Sequence, residues 1–238
     1  MRIALIGYGR MGREIEAAAI ERGHDIALVI DLENRHEFIP GNFRNIDAAI
    51  EFSVPASAFE NVARCIEMKI PVVSGTTGWA GMYDEAARLC REKGSSFIHS
   101  SNFSIGVNIL FRLNSELARL MEAHESYTPY IEEIHHTRKL DAPSGTAISL
   151  ASGISSSNSR YKGWQAGEEL KKENVVISSV REGDVPGTHM VEWDSEIDSI
   201  SLKHVAKGRK GFATGAVVAA EFIKDRRGVF TMADVLGF

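Results

Sequence analysis

Between Glu133 and Ala147 the chain reads Glu-Ile-His-His-Thr-Arg-Lys-Leu-Asp-Ala-Pro-Ser-Gly-Thr-Ala. Two adjacent imidazoles, His135 and His136, are followed by Arg138, Lys139 and Asp141, and then by the small-residue turn Pro143-Ser144-Gly145-Thr146. Imidazole exchanges protons near neutral pH, with an ordinary pKa of about 6.5. A strand over residues 130–136 sends His135 and His136 to opposite faces by alternation, and leaves Lys139 just past the strand end near His135. Ala147-Ile148-Ser149-Leu150 reads as the first turn of a helix, with Ser144 as its cap. Backbone N–H groups at Gly145 and Thr146 then form a small anion-binding concavity beside the cations. Such a stretch suits gripping carboxylates and moving protons next to them. Composition alone fits a solvated loop equally well, because Glu132, Glu133 and Asp141 offset Arg138 and Lys139. The order of acid/base groups, glycine turn and helix favours a site.

The elements that must position this stretch belong to a chain of 238 residues with 44% hydrophobic content and a net charge of -5. That is enough for one large or two small domains with a proper core. The negative balance argues against a general nucleic-acid binder, so any anion site is local. Cys65 and Cys90 have neither metal-ligand spacing nor the density of a disulfide scaffold, and are expected as buried thiols of a cytoplasmic protein. The apolar start, residues 3–6, is too short for a signal segment, and no run approaches a membrane span. No metal is expected, because the paired histidines lack acidic or thiol ligands at a convincing spacing.

Residues 2–7 form a short apolar run of the kind a buried parallel strand shows. Gly7-Tyr8-Gly9-Arg10-Met11-Gly12 follows as G-x-G-x-x-G, and Met11, Ile15, Ala18 and Ala19 continue at helical spacing until Gly23. A second apolar strand, residues 26–30, ends in Asp31, which lies 19 residues beyond Gly12. Strand, glycine turn, helix and a following acid together read as a dinucleotide site: glycines admit the pyrophosphate and the acid holds the adenosine ribose. Asp31 repels a 2′-phosphate, so NADH is favoured. Leu32 supplies no cation, although Arg35 is near enough to assist NADPH.

Further along, residues 47–53 read as a strand, Pro55 opens a helix, and residues 70–73 form a strand ending in Ser74-Gly75-Thr76-Thr77-Gly78. A helix about Met82 to Arg91 and a strand over residues 96–99 lead into Ser100-Ser101-Asn102-Phe103-Ser104-Ile105-Gly106. Spacing alone leaves open whether Asn102 closes a turn and Phe103 is core. Residues 107–123 read as an amphipathic helix with Ile109, Leu110, Leu113, Leu117, Leu120 and Met121 on one stripe. Residues 155–159 read as a polar serine loop. Residues 175–180, 189–193 and 197–206 alternate like strands of a mostly open sheet. Residues 212–223 are rich in small residues and are expected to pack closely on the first domain.

The signature Glu133, His135, Lys139, Asp141 and Pro143 to Ala147 resembles that of the dihydrodipicolinate reductases (4-hydroxy-tetrahydrodipicolinate reductases) of diaminopimelate and lysine synthesis. The resemblance extends over nearly the whole chain, including the Gly75-Thr76-Thr77 turn, the Asn102-Phe103-Ser104 turn and the C-terminus. It implies an α/β fold: a Rossmann-type parallel-sheet nucleotide domain over 1–103, with 211–238 packing back onto it. An α+β substrate and oligomerisation domain with a mixed, partly open sheet would span 104–210 and face the nucleotide cleft. It also implies reduction of a cyclic dicarboxylate by NADH or NADPH, with His135 as acid/base group and Lys139 as proton donor. Crowding of Lys139 by His135, His136 and Arg138 is expected to make its proton easier to give up. His136, Ser144, Gly145 and Thr146 would hold substrate carboxylates. Gly7 to Gly12, Asp31, Gly75, Thr76, Thr77 and Ser100 to Phe103 would hold the cofactor. Arg209 is a lesser candidate near the substrate. Relatives assemble as tetramers, and a shortened loop over residues 181–189 bears on that assembly. A non-catalytic nicotinamide-binding sensor and another amino-acid-type dehydrogenase are the rival readings; a sensor would need neither His135 nor Lys139.

Overall fold

The computed structural model describes residues 1–167 and 173–238. The chain begins with β1 (Arg2–Ile6), α1 (Arg10–Glu21), β2 (Asp25–Ile30), β3 (Ala48–Glu51), α2 (Pro55–Glu67), β4 (Val72–Ser74), α3 (Tyr83–Lys93) and β5 (Ser96–His99). It continues with α4 (Ile105–Leu120), β6 (Thr128–His135), α5 (Gly145–Ser157), β7 (Gly163–Ala166), β8 (Asn174–Arg181), β9 (Thr188–Asp194) and β10 (Ser199–Val205). The last elements are α6 (Lys210–Ile223), β11 (Gly228–Phe230) and α7 (Met232–Leu236). Two compact units result, one of Met1–Ile105 with Arg209–Phe238 and one of Gly106–Gly208.

The first unit holds a six-stranded parallel sheet in the order β11-β5-β4-β3-β1-β2. Its strands are short and apolar because both faces are covered; residues 3–6 of β1 and all of β3 are buried. One face packs Ile15, Ala18 and Ala19 of α1 against the small residues of α6. The other packs Val62 and Ile66 of α2 and Ala86 of α3. Strand order reverses between β1 and β3, and ligands of open α/β sheets bind at the carboxyl ends of strands beside such a switch. Cys65 and Cys90 are buried and unpaired, and burial pushes both thiols up, Cys90 to about 11, so neither is a nucleophile. Between β2 and β3 there is one 3-10 turn, Arg35–Glu37, and no further strand.

The second unit is built on a five-stranded mixed sheet, ordered β10-β9-β6-β8-β7, with β6 parallel to β8 and antiparallel to β9. Ile131, Val191 and Trp193 from the sheet pack with Leu110 and Ala118 of α4 and Leu150, Ala151 and Ile154 of α5.

Four expectations need correction. The stripe that α4 buries is Val107, Leu110, Asn114 and Ala118, while Ile109, Leu113 and Leu120 stay 42%, 50% and 55% exposed. Apolar residues lie on more than one side of this helix, so spacing did not select the core face. Helix α5 runs through Ser157 rather than stopping at the serines, and the Ser155 hydroxyl donates back to the Ala151 carbonyl (3.1 Å). Strand β6 ends at His135, so His136 sits beyond it and alternation does not govern its side chain. Strands β7 and β11, of four and three residues, were too short to carry a periodic signal.

Close packing of α6 makes a sharp test. A Cβ on Gly215 would stand 1.7 Å from the Phe103 carbonyl oxygen. Alanine ordinarily stabilises a helix over glycine by about 1 kcal/mol, but Gly215→Ala should instead destabilise by about 1–3 kcal/mol through overpacking. Thermal melting reads the sign.

Candidate active site

In the first unit, the turn after β1 shows why its glycines are there. Gly7 has φ +91° and a Cβ on it would meet the Phe52 carbonyl oxygen at 2.3 Å, while one on Gly12 would meet the Gly7 carbonyl oxygen at 2.4 Å. Both are demanded by the protein's own packing. Gly9 differs, since a Cβ there would meet nothing within 4 Å. It precedes α1, has no side-chain cap, and borders a cleft of about 360 Å³ lined also by Arg10, Met11, Phe52, Ser53 and Gly75 to Thr77. A side chain at 9 would project into the space where a pyrophosphate meets the N–H groups of the helix terminus. The residues present therefore fit a dinucleotide. Tyr8 is turned away to Glu16, with which its hydroxyl bonds.

A buried carboxylate fixes the far wall of this cleft. Glu51, the last residue of β3, is 0% exposed. Its Oε1 accepts from the Ser53 backbone N–H (3.0 Å) and the Thr76 hydroxyl (2.8 Å), and its Oε2 accepts from the Ser74 hydroxyl (2.6 Å). Thr76 in turn accepts from Ser53 N–H at 2.8 Å. Two loops are thus tied by one side chain to which the sequence reading assigned no role.

Asp31, Leu32 and Arg35 border a neighbouring hollow with Gly7 and Ser53. Leu32 is 83% exposed and the Arg35 guanidinium is paired with Glu60 at 2.6 Å, rather than standing ready for a phosphate. Ser100 to Phe103 do not line the cleft. The Asn102 Oδ1 accepts from Ser104 N–H (2.9 Å), and the Phe103 ring packs in the core.

In the second unit, register assembles a second cluster. On β6, Glu133 and His135 alternate onto one face. Glu133 lies opposite His189 of β9, and His135 lies opposite Arg181 of β8. Glu133 is 0% exposed. Its Oε1 accepts from Arg181 (2.9 Å) and from the Ser144 N–H (3.1 Å), and its Oε2 faces His135 Nδ1 at 2.5 Å. Burial alone would raise this carboxyl, but the His135, Arg181 and Ser144 hydrogen bonds outweigh it and hold Glu133 well below the usual carboxylate range. Ser144 caps α5, its hydroxyl accepting from Ala147 N–H at 3.2 Å. His189 packs edge-on to His135, ring centroids 5.0 Å apart, and its Nε2 lies 3.1 Å from Ser144 Oγ.

The expected absence of an acidic neighbour for His135 is overturned: Glu133, His135 and His189 offer ligand-type atoms within 4.8 Å of one another. Alternation along β6 puts Glu133 on the same face as His135, while His189 comes from another strand that spacing along the chain could not show. The positive charge that this carboxylate requires is already supplied by Arg181. Crowding of Lys139 by cations is also corrected. Its ammonium sits on both Asp141 oxygens, at 2.8 and 2.7 Å, and Arg138 reaches Asp184 at 2.8 Å. His136 is half-buried with Nδ1 unpartnered. Gly145 is exposed and Thr146 half-buried in the first turn of α5. Arg209, which precedes α6, belongs to the first unit and is exposed. Arg181 and His189 went unassigned in the sequence because only pairing register brings them to Glu133.

Comparison with known proteins decides the lineage. Residues 1–103 match the model for the dihydrodipicolinate reductase N-terminus and residues 106–236 match that for its C-terminus. The chain belongs to the dihydrodipicolinate reductase family. It is 52% identical over 238 residues to the 4-hydroxy-tetrahydrodipicolinate reductase of Christiangramia forsetii, covering 99% of this chain and 98% of that one. The protein of that name from Methanopyrus kandleri is 34% identical over 266 residues, covering 98% and 95%. In fold, the chain resembles a dipicolinate-bound dihydrodipicolinate reductase from Paenisporosarcina sp. TG-14, with TM-score 0.77, 21% identity and 98% coverage of each. Both halves of this reductase-family chain are therefore accounted for, the glycine turn in one and the Glu133 cluster in the other.

Desolvation, then the neighbouring His135, pushes His189 down to about 4 from the usual 6.5. Its folded-state value lies below its unfolded one, so the stability it contributes is full above pH 6.5 and drains as pH falls toward 4. Burial lowers His99 and His204 in the same direction. Denaturation measured across that window should lose up to about 3 kcal/mol through His189, and His189→Gln should flatten most of the slope.

Proposed function

We propose that this chain uses NAD(P)H to reduce 4-hydroxy-tetrahydrodipicolinate to tetrahydrodipicolinate, in diaminopimelate and lysine biosynthesis. The observation that carries the reading is a relative of that name that is 52% identical over 99% of the chain. The proton-handling cluster around Glu133 supports it.

When bound, the cofactor supplies a hydride to the substrate's conjugated C=C–C=N system, and the resulting enamine needs a proton. His135 is the acid/base group. With Nδ1 facing Glu133, the imidazole keeps its Nδ1–H there and works through Nε2. A Cβ on Gly187 would stand 3.0 Å from that Nε2, so glycine at 187 leaves the working nitrogen uncovered. Lys139 is the proton donor. The Lys139 hydrogen bond holds Asp141 below the usual carboxylate range, and the Asp141 carboxylate in turn positions the ammonium through both oxygens. Ser144, Gly145 and Thr146 at the N-terminus of α5, with His136, hold the carboxylates.

Gly7 to Gly12, Asp31 and Gly75 to Thr77 would hold the cofactor, and Ser100 to Phe103 would meet its nicotinamide half. NADH is preferred: Asp31 would accept from the ribose hydroxyls, and Arg35 is engaged by Glu60. The first unit is thus the nucleotide-binding domain and the second the substrate domain. No described helix is long and apolar enough to cross a membrane. A cytoplasmic homotetramer is the form proposed.

Following nicotinamide absorbance with 4-hydroxy-tetrahydrodipicolinate tests the reaction. His135→Ala and Lys139→Ala should each lose about 100-fold or more of kcat with NADH binding unchanged. Full turnover in both variants defeats the assigned roles, and no oxidation by the unaltered protein defeats the reaction. Gly9→Val should do the reverse, weakening NADH binding strongly while leaving the melting temperature in place.

A further inference from the structure

His189 stands outside the signature, yet it reaches the residue that caps α5. The Ser144 hydroxyl has one proton and two lone pairs. One lone pair is filled by Ala147 N–H at 3.2 Å. What His189 Nε2 does at 3.1 Å decides where the single proton goes. If Nε2 were the acceptor, Ser144 would spend its proton inside the protein and have nothing left for a ligand. That arrangement would also bury an Nδ1–H, because His189 is 5% exposed and its Nδ1 has no hydrogen-bond partner. An orphaned buried donor is the rarer fault in folded proteins. In the opposite tautomer Nε2–H donates to Ser144 Oγ, both lone pairs are filled, and Nδ1 carries only a bare lone pair.

We propose that His189 is a positioning residue for anion binding: its Nε2–H fills the second lone pair of Ser144 and commits the Ser144 hydroxyl proton to a carboxylate at the N-terminus of α5. This rests on the dicarboxylate-binding reading of that helix end given above. Three features of the site support it. The strand register that sets Glu133 opposite His189 fixes the imidazole between a carboxylate-anchored strand and the helix cap. The edge-on contact with His135 prevents ring rotation without disturbing a second buried imidazole. Burial and the neighbouring His135 keep His189 neutral, so it has a single proton to place. The ligand class is a small planar carboxylate or dicarboxylate. The role is orientation of a donor, with no proton leaving His189.

The test uses the full chain with dipicolinate as the probe, and its affinity measured by calorimetry. His189→Leu should weaken dipicolinate about 10- to 100-fold, the worth of one hydrogen bond to a charged group, with NADH affinity unchanged and KM for the substrate raised more than kcat is lowered. His189→Gln places an amide N–H donor at similar reach and should recover most of the loss. Nitrogen-15 spectra of the unaltered protein at neutral pH should show His189 protonated at Nε2. Wild-type dipicolinate affinity in a folded leucine variant, a glutamine variant no better than leucine, or a proton at Nδ1 would each overturn the proposal. The spectra decide the matter even if the leucine variant fails to fold. Dipicolinate binding without turnover of the tetrahydro substrate would defeat the reaction proposed above and leave this role standing.

Discussion

A carboxylate with no exposure to water is the constraint around which the second unit is arranged. Burying Glu133 without partners would cost several kcal/mol. Three groups answer that demand at once: Arg181 from β8, His135 two residues along β6, and the Ser144 N–H at the start of α5. Arg181 goes further and donates to the Asp141 carbonyl at 2.7 Å, which anchors the loop that carries Lys139. The same charge therefore orients an imidazole, seats a helix terminus and restrains a lysine. Removing a partner from such an arrangement leaves an uncompensated ion, so the geometry is held stiffly even though the pairs themselves add little net stability.

The first unit solves a related problem differently. Glu51 is equally buried and ends a strand, but its partners are hydroxyls and a backbone N–H, with no cation among those bonded to it. Each unit thus places one sequestered carboxylate at or near the carboxyl end of a strand, where α/β sheets present their ligands. With Glu51, hydroxyl donors set the shape of a wall. With Glu133, a guanidinium and an imidazole set the shape and also place an ionisable group beside it.

Much of the first unit was legible in the sequence because parallel strands buried on both faces read as continuous apolar runs, and G-x-G-x-x-G between strand and helix marks a turn with few alternatives. The cap at Ser144 was legible for a similar reason: cap chemistry is local. What failed to show was non-local. His189 and Arg181 meet Glu133 through strand register, which depends on how separate strands pair and not on any one of them. Along the chain Lys139 lies among His135, His136 and Arg138, but in space Asp141 and Asp184 draw the nearby cations into pairs. Helix α4 misled because its apolar residues span more than one side, and a buried Asn114 that donates to the Leu150 carbonyl holds a place in its inner stripe.

The path of the chain has a consequence for how the molecule comes into being. The first unit is opened by the amino-terminal strands but closed by α6, β11 and α7, and β11 completes the sheet only by pairing with β5. Residues 106–208 are synthesised in between and form a unit of their own. On the ribosome, where segments fold roughly as they emerge, the portion begun first must wait the longest. Until α6 arrives, Ile15 and Ala19 of α1 and the strands beside them lack the helix that packs against them. A nascent chain of this protein thus carries an uncovered apolar surface through most of its translation, which is when a chaperone has most to hold.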